Sequence, residues 1–357
     1  MSLKFTHTTL GQRVLFGNGQ ATENLAAEVA RLEAKTVMVI AGERGMELAT
    51  AVAKDIDVAV WHDEVVMHVP VDVAERARTV SADNGVDLLV SVGGGSTTGL
   101  AKAISLTTGI PSIAVATTYA GSEATDVWGL TENDVKTTGS DVKVLPVAVI
   151  YDSELTLSLP VELSIASGLN GLAHCVDSLW APNADPINAA MAAEGIRALN
   201  EGLPLIVEDS QDIHGRDLAL YGAYLAAVSF ASAGSGMHHK LCHILGGTFN
   251  LPHAQTHATV LPYVLAFNVD HAPEAAARMA AAFGVDDAVG GLNQLRARVN
   301  APKALKDYGF TAEGIPAVVE QALATIPDSN PRPVTEENLT QLLTAALNGD
   351  DPATLRR

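Results

Sequence analysis

Cysteine is nearly absent from this chain: Cys175 and Cys242 are the only two in 357 residues. Two thiols cannot build a disulfide framework, so a small secreted scaffold is excluded and the cytoplasm is the default compartment. Positive charge is also scarce, with 22 Lys and Arg against 41 Asp and Glu and a formal net charge of −19. Nucleic acid and anionic membrane surfaces both require clustered cations, so neither is an expected partner. No uninterrupted apolar stretch reaches bilayer length, and Met1 to Leu10 lacks the charged-then-apolar pattern of a signal peptide. An anionic substrate would need a local positive site set against the global field. What is abundant is apolar. With 48% hydrophobic and 18% charged residues the chain reads as a packed globular protein, long enough for two domains.

The first 150 residues alternate strand-like and helix-like segments. Thr36 to Ala41 (TVMVIA), Asp87 to Val92 (DLLVSV) and Ser112 to Thr117 (SIAVAT) are short β-branched runs bounded by Gly, Pro or polar residues. Between them lie helical stretches such as Asp72 to Asn84 and Thr98 to Thr107, and Val144 to Ile150 reads as a last strand. Such alternation predicts a mostly parallel sheet covered on both faces. From Val161 to about Leu347 the pattern is Ala- and Leu-rich at helical spacing, with Ile187 to Leu203, Gly215 to Ala233 and Pro273 to Phe283 as helices. The expected organisation is an α/β domain over 1–155 and an all-α domain over 156–357, with Asp350 onward a frayed tail.

Gly93-Gly94-Gly95-Ser96 follows a predicted strand and opens a predicted helix. Glycines there let the backbone approach a pyrophosphate, and the helix start supplies N–H donors and the positive end of its dipole. The spacing is not the GxGxxG fingerprint. A second polar turn, Thr117-Thr118-Tyr119-Ala120-Gly121-Ser122-Glu123, follows the next strand. Alone it reads as an ordinary hydroxyl-rich loop; beside the glycine turn it favours a dinucleotide. After the TVMVIA strand come Gly42-Glu43-Arg44. No acid sits cleanly at the strand end to select the 2′-hydroxyl of NAD, and Arg44 is a candidate receiver for a 2′-phosphate, so use of both NADH and NADPH is expected.

The helical half carries the reacting groups. Asn170/His174 and His239/His243 are each spaced four apart, which places each pair on one helix face, and His253 stands ten residues after His243. Four of the eleven histidines fall between Gly236 and His253. A lone histidine usually has a structural role, but this density beside Gly246-Gly247 points to a site. His238 is expected to face away from the 239/243 face, and His257 either joins the site or lies on a solvated face. The two cysteines, each adjoining one of these histidines, read as small buried hydrophobes. Arg332, in Asn330-Pro331-Arg332-Pro333, is a candidate carboxylate clamp, although that stretch also reads as the start of a helix.

Together GGGSTTGLAKAI, TTYAGSEAT, SGLNGLAHCVDSLW and HHKLCHILGG with its downstream LPH resemble the iron-containing (group III) alcohol dehydrogenase superfamily, and within it the maleylacetate reductases. The resemblance covers nearly the whole chain. It implies an α/β N-terminal dinucleotide-binding domain plus an all-α C-terminal domain, the dehydroquinate synthase-like arrangement. It also implies a homodimer, and places the metal-ligand positions on Asn170, His174, His239 and His253, with His243 matching a non-ligand histidine beside the nicotinamide. Two departures matter. The family's aspartate ligand is Asn170 here, a weaker and uncharged donor, and the aspartate that usually follows the glycine turn falls on Gly99. Both match the maleylacetate reductases, which the resemblance implies work without metal.

Chemistry gives a reason for that loss. Reducing an isolated ketone builds a localised alkoxide, which a Lewis acid stabilises. In maleylacetate a C=C is conjugated to the ketone, so hydride addition at the far alkene carbon spreads the charge over an enolate, for which hydrogen bonds suffice. The expected reaction is NADH- or NADPH-dependent reduction of that C=C to give 3-oxoadipate, in bacterial degradation of aromatic compounds. His239, His253 and Lys240 or His243, as imidazolium or ammonium groups, would polarise the ketone and grip the two carboxylates of this small substrate. His174 and Asn170 complete the expected site. Two alternatives stand beside this reading. One is an alcohol dehydrogenase of the same fold with Fe²⁺ or Zn²⁺ on three histidines; the other is an inactive nucleotide-binding scaffold, against which the histidine density argues.

Overall fold

The computed structural model describes residues 4–132 and 135–356. Contacts divide the chain into two compact units, Leu10–Leu159 and Pro160–Arg357, the latter joined by the segment that ends at Thr9. Hence the residues before Leu10, grouped above with the α/β half, cluster with the helices; His7 Nδ1 lies 2.8 Å from buried Asp185.

The first unit holds eight strands: β1 (Arg13–Phe16), β2 (Val37–Ile40), β3 (Val58–His62), β4 (Leu88–Gly93), β5 (Ser112–Ala116), β6 (Val127–Glu132), β7 (Val135–Ser140) and β8 (Ala148–Tyr151). Its helices are α1 (Ala21–Arg31), α2 (Met46–Val52), α3 (Val71–Asp83) and α4 (Gly95–Thr108). Six strands form one parallel sheet in the order β1-β8-β5-β4-β2-β3, while β6 and β7 pair as an antiparallel hairpin that the strand patterns did not announce. Period-two alternation fills both faces. Val37, Val39, Leu88, Val90 and Val92 pack with Ala21 and Leu25 of α1 and Ala49 of α2; Met38, Ile40 and Leu89 pack with Val73 and Ala77 of α3 and Leu100 and Ile104 of α4. Consequently α2 leaves β2 onto one face and α4 leaves β4 onto the other, although β2 and β4 are neighbours. Their carboxyl ends form the topological switch point of an open α/β sheet, where such sheets bind ligands.

The second unit is helical: α5 (Val161–Ser178), α6 (Pro186–Glu208), α7 (Ile213–Ala233), α8 (Met237–Phe249), α9 (His253–Asn268), α10 (Pro273–Phe283), α11 (Ala288–Arg298), α12 (Ile315–Thr325) and α13 (Glu336–Asn348). Long helices α6 and α7 approach closely because small residues line their seam: a Cβ on Gly202 would lie 2.7 Å from Gly215 O. No single helix among the described residues is long and apolar enough to cross a membrane. The expected frayed tail is ordered as far as Arg356. Asp351 caps a short 3-10 turn over Pro352–Leu355, Leu355 is buried, and Arg356 pairs with Asp270 and Asp287 at 2.8 Å each. Arg332 serves that tail, donating to Leu355 O at 2.8 Å and stacking 4.4 Å above Phe267, so its role is structural rather than that of a carboxylate clamp.

Candidate active site

Two polar turns lie side by side in the α/β unit. β4 runs into Gly93-Gly94-Gly95-Ser96, and α4 begins at Gly95 with Gly94 as its first flanking residue. Thr117, directly after β5, donates its N–H to Gly93 O at 3.1 Å, which ties the second turn to the first. The glycines are required here. A Cβ on Gly94 would meet the Thr118 methyl at 2.8 Å, and one on Gly93, at φ 156°, would meet Thr97 Oγ1 at 2.5 Å. The result is a side-chain-free cradle at the N-terminus of a 14-residue helix, the local form of an anion site. Gly42 and Arg44 occupy the turn after β2, on the other side of the switch point, and Arg44 is exposed. Gly99, where the family carries an aspartate, faces Val69; a Cβ there would come within 2.9 Å of the valine methyl.

Lys102 was given no role in the sequence reading and Glu123 was read only as the end of the second turn, yet both shape this turn. Lys102 is wholly buried on α4 and donates to Thr125 O, Thr125 Oγ1 and Val127 O at 2.8 to 3.0 Å, pinning the chain that leaves the second turn. Burial lowers its pKa to about 7. Buried Glu123 takes a 2.7 Å hydrogen bond from Tyr151 Oη, and its pKa is raised by desolvation.

In the helical unit six histidines gather. Asn170 and His174 lie one turn apart on α5 and both are buried. His174 stacks on His239 of α8 with ring centroids 4.8 Å apart at 17°, and Phe230 of α7 covers both rings at 4.8 and 4.2 Å. His243, one turn further along α8, is 6.1 Å from His239 in edge contact and 6.4 Å from His257. His253 opens α9 and lies 4.3 Å from His257. Lys240 is half-buried, one residue round the helix from His239. His257 is therefore inside the cluster and wholly buried, not on a solvated face. His238 is also buried; it touches His239 at 5.2 Å and shares a 3.0 Å hydrogen bond with His257.

Asp177 organises this cluster, and the sequence reading passed over it. It continues the face of Asn170 and His174 at the i+7 position, a spacing that marks it. Fully buried, it accepts backbone N–H groups from Gly236, His238 and His239 at 3.1 to 3.3 Å, capping the start of α8. Its Oδ2 also lies 2.8 Å from His239 Nδ1. A carboxylate engaged by three N–H donors is an acceptor, so Nδ1 of His239 carries the proton and Nε2 presents a lone pair. Desolvation pushes Asp177 up to about 6. It lowers His174 to about 4 and His238 to about 3, and drives His239 and His257 well down. Burial therefore favours the neutral form of His174 and of His239, the latter also facing other histidines, which runs against the picture of His239 as an imidazolium. His239 Nε2, His174 Nδ1 and Asn170 Oδ1 are buried without a hydrogen-bond partner among the described residues.

A glycine cradle at the switch point of an open sheet and a cluster of buried histidines are the parts a dinucleotide-dependent enzyme needs. Residues 11–153 match iron-containing alcohol dehydrogenase, and residues 164–347 match the Fe-containing alcohol dehydrogenase family, C-terminal. The chain belongs to the iron-containing alcohol dehydrogenase family. It is 45% identical to a maleylacetate reductase of Sphingobium indicum over 99% of this chain and 100% of that one. A crystal structure titled iron-containing alcohol dehydrogenase from Corynebacterium glutamicum superposes with a TM-score of 0.98 at 69% identity, covering 99% of this chain and 100% of that one. A maleylacetate reductase from Rhizobium sp. strain MTP-10005 superposes with a TM-score of 0.92 at 43% identity, covering 98% and 99%. The resemblance read from the motifs thus holds across the whole chain.

Membership implies a nicotinamide cofactor, and the glycine cradle fits one. It also implies iron, which the residues present do not fit. The matching positions offer an amide where an anionic ligand belongs. Among the described residues, the trio of His, Cys, Asp or Glu whose ligand atoms lie within 4.8 Å of one another is His238, Cys242 and His257.

Proposed function

We propose that this enzyme reduces the C=C bond of maleylacetate to give 3-oxoadipate, using NADH or NADPH and no metal. The observation that carries the reading is the amide at Asn170, buried beside His174 within a site of neutral imidazoles. Full-length identity of 42 to 45% to proteins named maleylacetate reductase supports it. When bound, a reduced nicotinamide would supply the hydride; Gly93, Gly94, Gly95, Ser96, Thr117 and Thr118 would hold its phosphates, and Gly42 and Arg44 its adenosine ribose.

The protein's own task is to handle the charge and the proton. Hydride arrives at the alkene carbon remote from the ketone, and the electron pair of the C=C moves toward the ketone oxygen as an enolate. His243, His253 and Lys240 donate hydrogen bonds to the ketone oxygen and the substrate carboxylates, stabilising charge that develops only in the transition state. A proton delivered by one of these histidines or by a bound water then joins the carbon next to the ketone, and the ketone re-forms. His239 Nε2, a lone pair fixed by Asp177, holds an acceptor position, and His174 stacks on that ring from α5. The setting is a cytoplasmic homodimer in aromatic-compound degradation.

Oxidation of NADH by freshly prepared maleylacetate, measured on EDTA-treated protein, tests this. Turnover without metal supports the reading. Turnover restored only by Fe²⁺ or Zn²⁺ overturns it, and favours a metal-dependent alcohol dehydrogenase of the same fold.

A further inference from the structure

His238 and Cys242 stand one turn apart on α8, and His257 faces them from the second turn of α9. His238 Nε2 is 3.0 Å from His257 Nδ1 and 3.6 Å from Cys242 Sγ, and all three ligand atoms fall within 4.8 Å of one another. Each side chain is at least 98% buried. None of the three occupies a position that matches the family's iron ligands.

We propose that His238, Cys242 and His257 form a binding site for a single thiophilic divalent cation, Zn²⁺ by its chemistry. A tetrahedral Zn²⁺ with bonds of about 2.0–2.1 Å to nitrogen and 2.3 Å to sulfur separates its ligand atoms by roughly 3.4 Å (N to N) and 3.6 Å (N to S). The two spacings already present differ from these by a few tenths of an ångström or less. Two imidazoles and a thiolate are a borderline-soft donor set, which selects Zn²⁺ or Co²⁺ over the oxygen-seeking Mg²⁺. On binding, the Cys242 thiol loses its proton to solvent. The proton shared between the two rings moves to the outer nitrogen of its own ring, leaving both inner lone pairs for the metal.

The site is not a second version of the catalytic one. Its occupation fixes His257, whose ring lies 4.9 Å from His239 and 4.3 Å from His253, so a bound cation also constrains two groups assigned above to turnover. Any zinc that copurifies would be assigned here, and its removal is expected to leave turnover intact or raise it. The proposal is independent of the substrate, because it is read by spectroscopy rather than by activity.

Titration of EDTA-treated, desalted full-length protein with Co²⁺ tests it. The expected result is a near-ultraviolet thiolate-to-cobalt charge-transfer band that saturates at one equivalent and is abolished by Zn²⁺. Cys242→Ser removes the band. His238→Gln and His257→Gln weaken Co²⁺ binding by about 100-fold or more, since loss of even a ligand's hydrogen-bond partner costs 10–100-fold. His174→Ala and Asn170→Ala keep it. The proposal is overturned by absence of the band in the parent protein, by its survival in Cys242→Ser, or by its loss in His174→Ala but not in His257→Gln.

Discussion

Asp177 Oδ2 and His239 Nδ1 lie 2.8 Å apart in a fully buried pair, and the same carboxylate caps the helix on which His239 stands. One side chain thus sets both the backbone position and the tautomer of a site histidine. Replacing Asp177 with Asn keeps the shape but places N–H groups where acceptors are needed. Asp177→Asn is expected to destabilise the protein by about 2–4 kcal/mol, because buried donors lose a charged acceptor. It should also lower kcat by at least about tenfold while leaving the KM for NADH unchanged. Urea denaturation and steady-state kinetics check the two effects separately; an unaltered kcat would mean the tautomer is irrelevant to turnover.

Asn170→Asp restores the carboxylate that the family carries at this position. In metal-free protein it buries an acid without a cationic partner, at a cost of about 1–3 kcal/mol. Added Fe²⁺ or Zn²⁺ should recover that loss, since binding to the native state alone raises apparent stability. Thermal unfolding with and without metal measures this, with the parent protein responding less to Fe²⁺. Equal responses in the two proteins would argue that Asn170 is not what disfavours iron.

Gly94→Ala places a methyl 2.8 Å from the Thr118 side chain inside the cradle. The KM for NADH should rise about tenfold, the cost of roughly 1.4 kcal/mol of lost binding, with little change in kcat. Fluorescence titration of bound NADH gives the dissociation constant directly.

Arg44 lies beyond β2, exposed, where a 2′-phosphate is recognised in dinucleotide folds. Arg44→Ala should raise the KM for NADPH several-fold and leave that for NADH within about twofold, as expected for one exposed charge. Parallel kinetics with both cofactors decide it.

Stability should fall in mild acid. His174 and His238 have pKa values lowered to about 4 and about 3, against about 6.5 in an unfolded chain. A depressed folded value contributes stability that is complete above pH 6.5 and is lost as pH falls toward 4 and 3. Asp177, raised to about 6, acts in the opposite sense: its contribution is present in acid and lost as pH rises through 6. With His239 and His257 also lowered, the histidines outweigh it. The urea midpoint should therefore drop between pH 7 and pH 5; a flat profile would contradict the burial assigned to these rings.

Much of this was legible in the residues. The TVMVIA, DLLVSV and SIAVAT runs became β2, β4 and β5 because β-branched residues with turn residues at both ends have few other solutions. Pro273–Phe283 forms a helix over its expected range, started by Pro and stopped by a left-handed Gly284. The hairpin of β6 and β7 was missed because its residues, with a glycine in each strand, lack a clean alternation. Its position is instead secured in part by Lys102, which sits on another element.

By itself the sequence determined the two kinds of secondary structure, the glycine cradle, the helix-face pairs and the amide at position 170. All of these depend on residue type and on spacing along one element. Tertiary structure decided what those residues are chemically. Only the packing of α5, α7, α8 and α9 removes water from His174, His239 and His257 and so makes them neutral. The same packing brings Asp177 to His239 across 62 positions of chain, and sets Cys242 and His238 beside His257. Charge state and tautomer follow from desolvation and from partners distant in sequence, and neither is written in any local pattern.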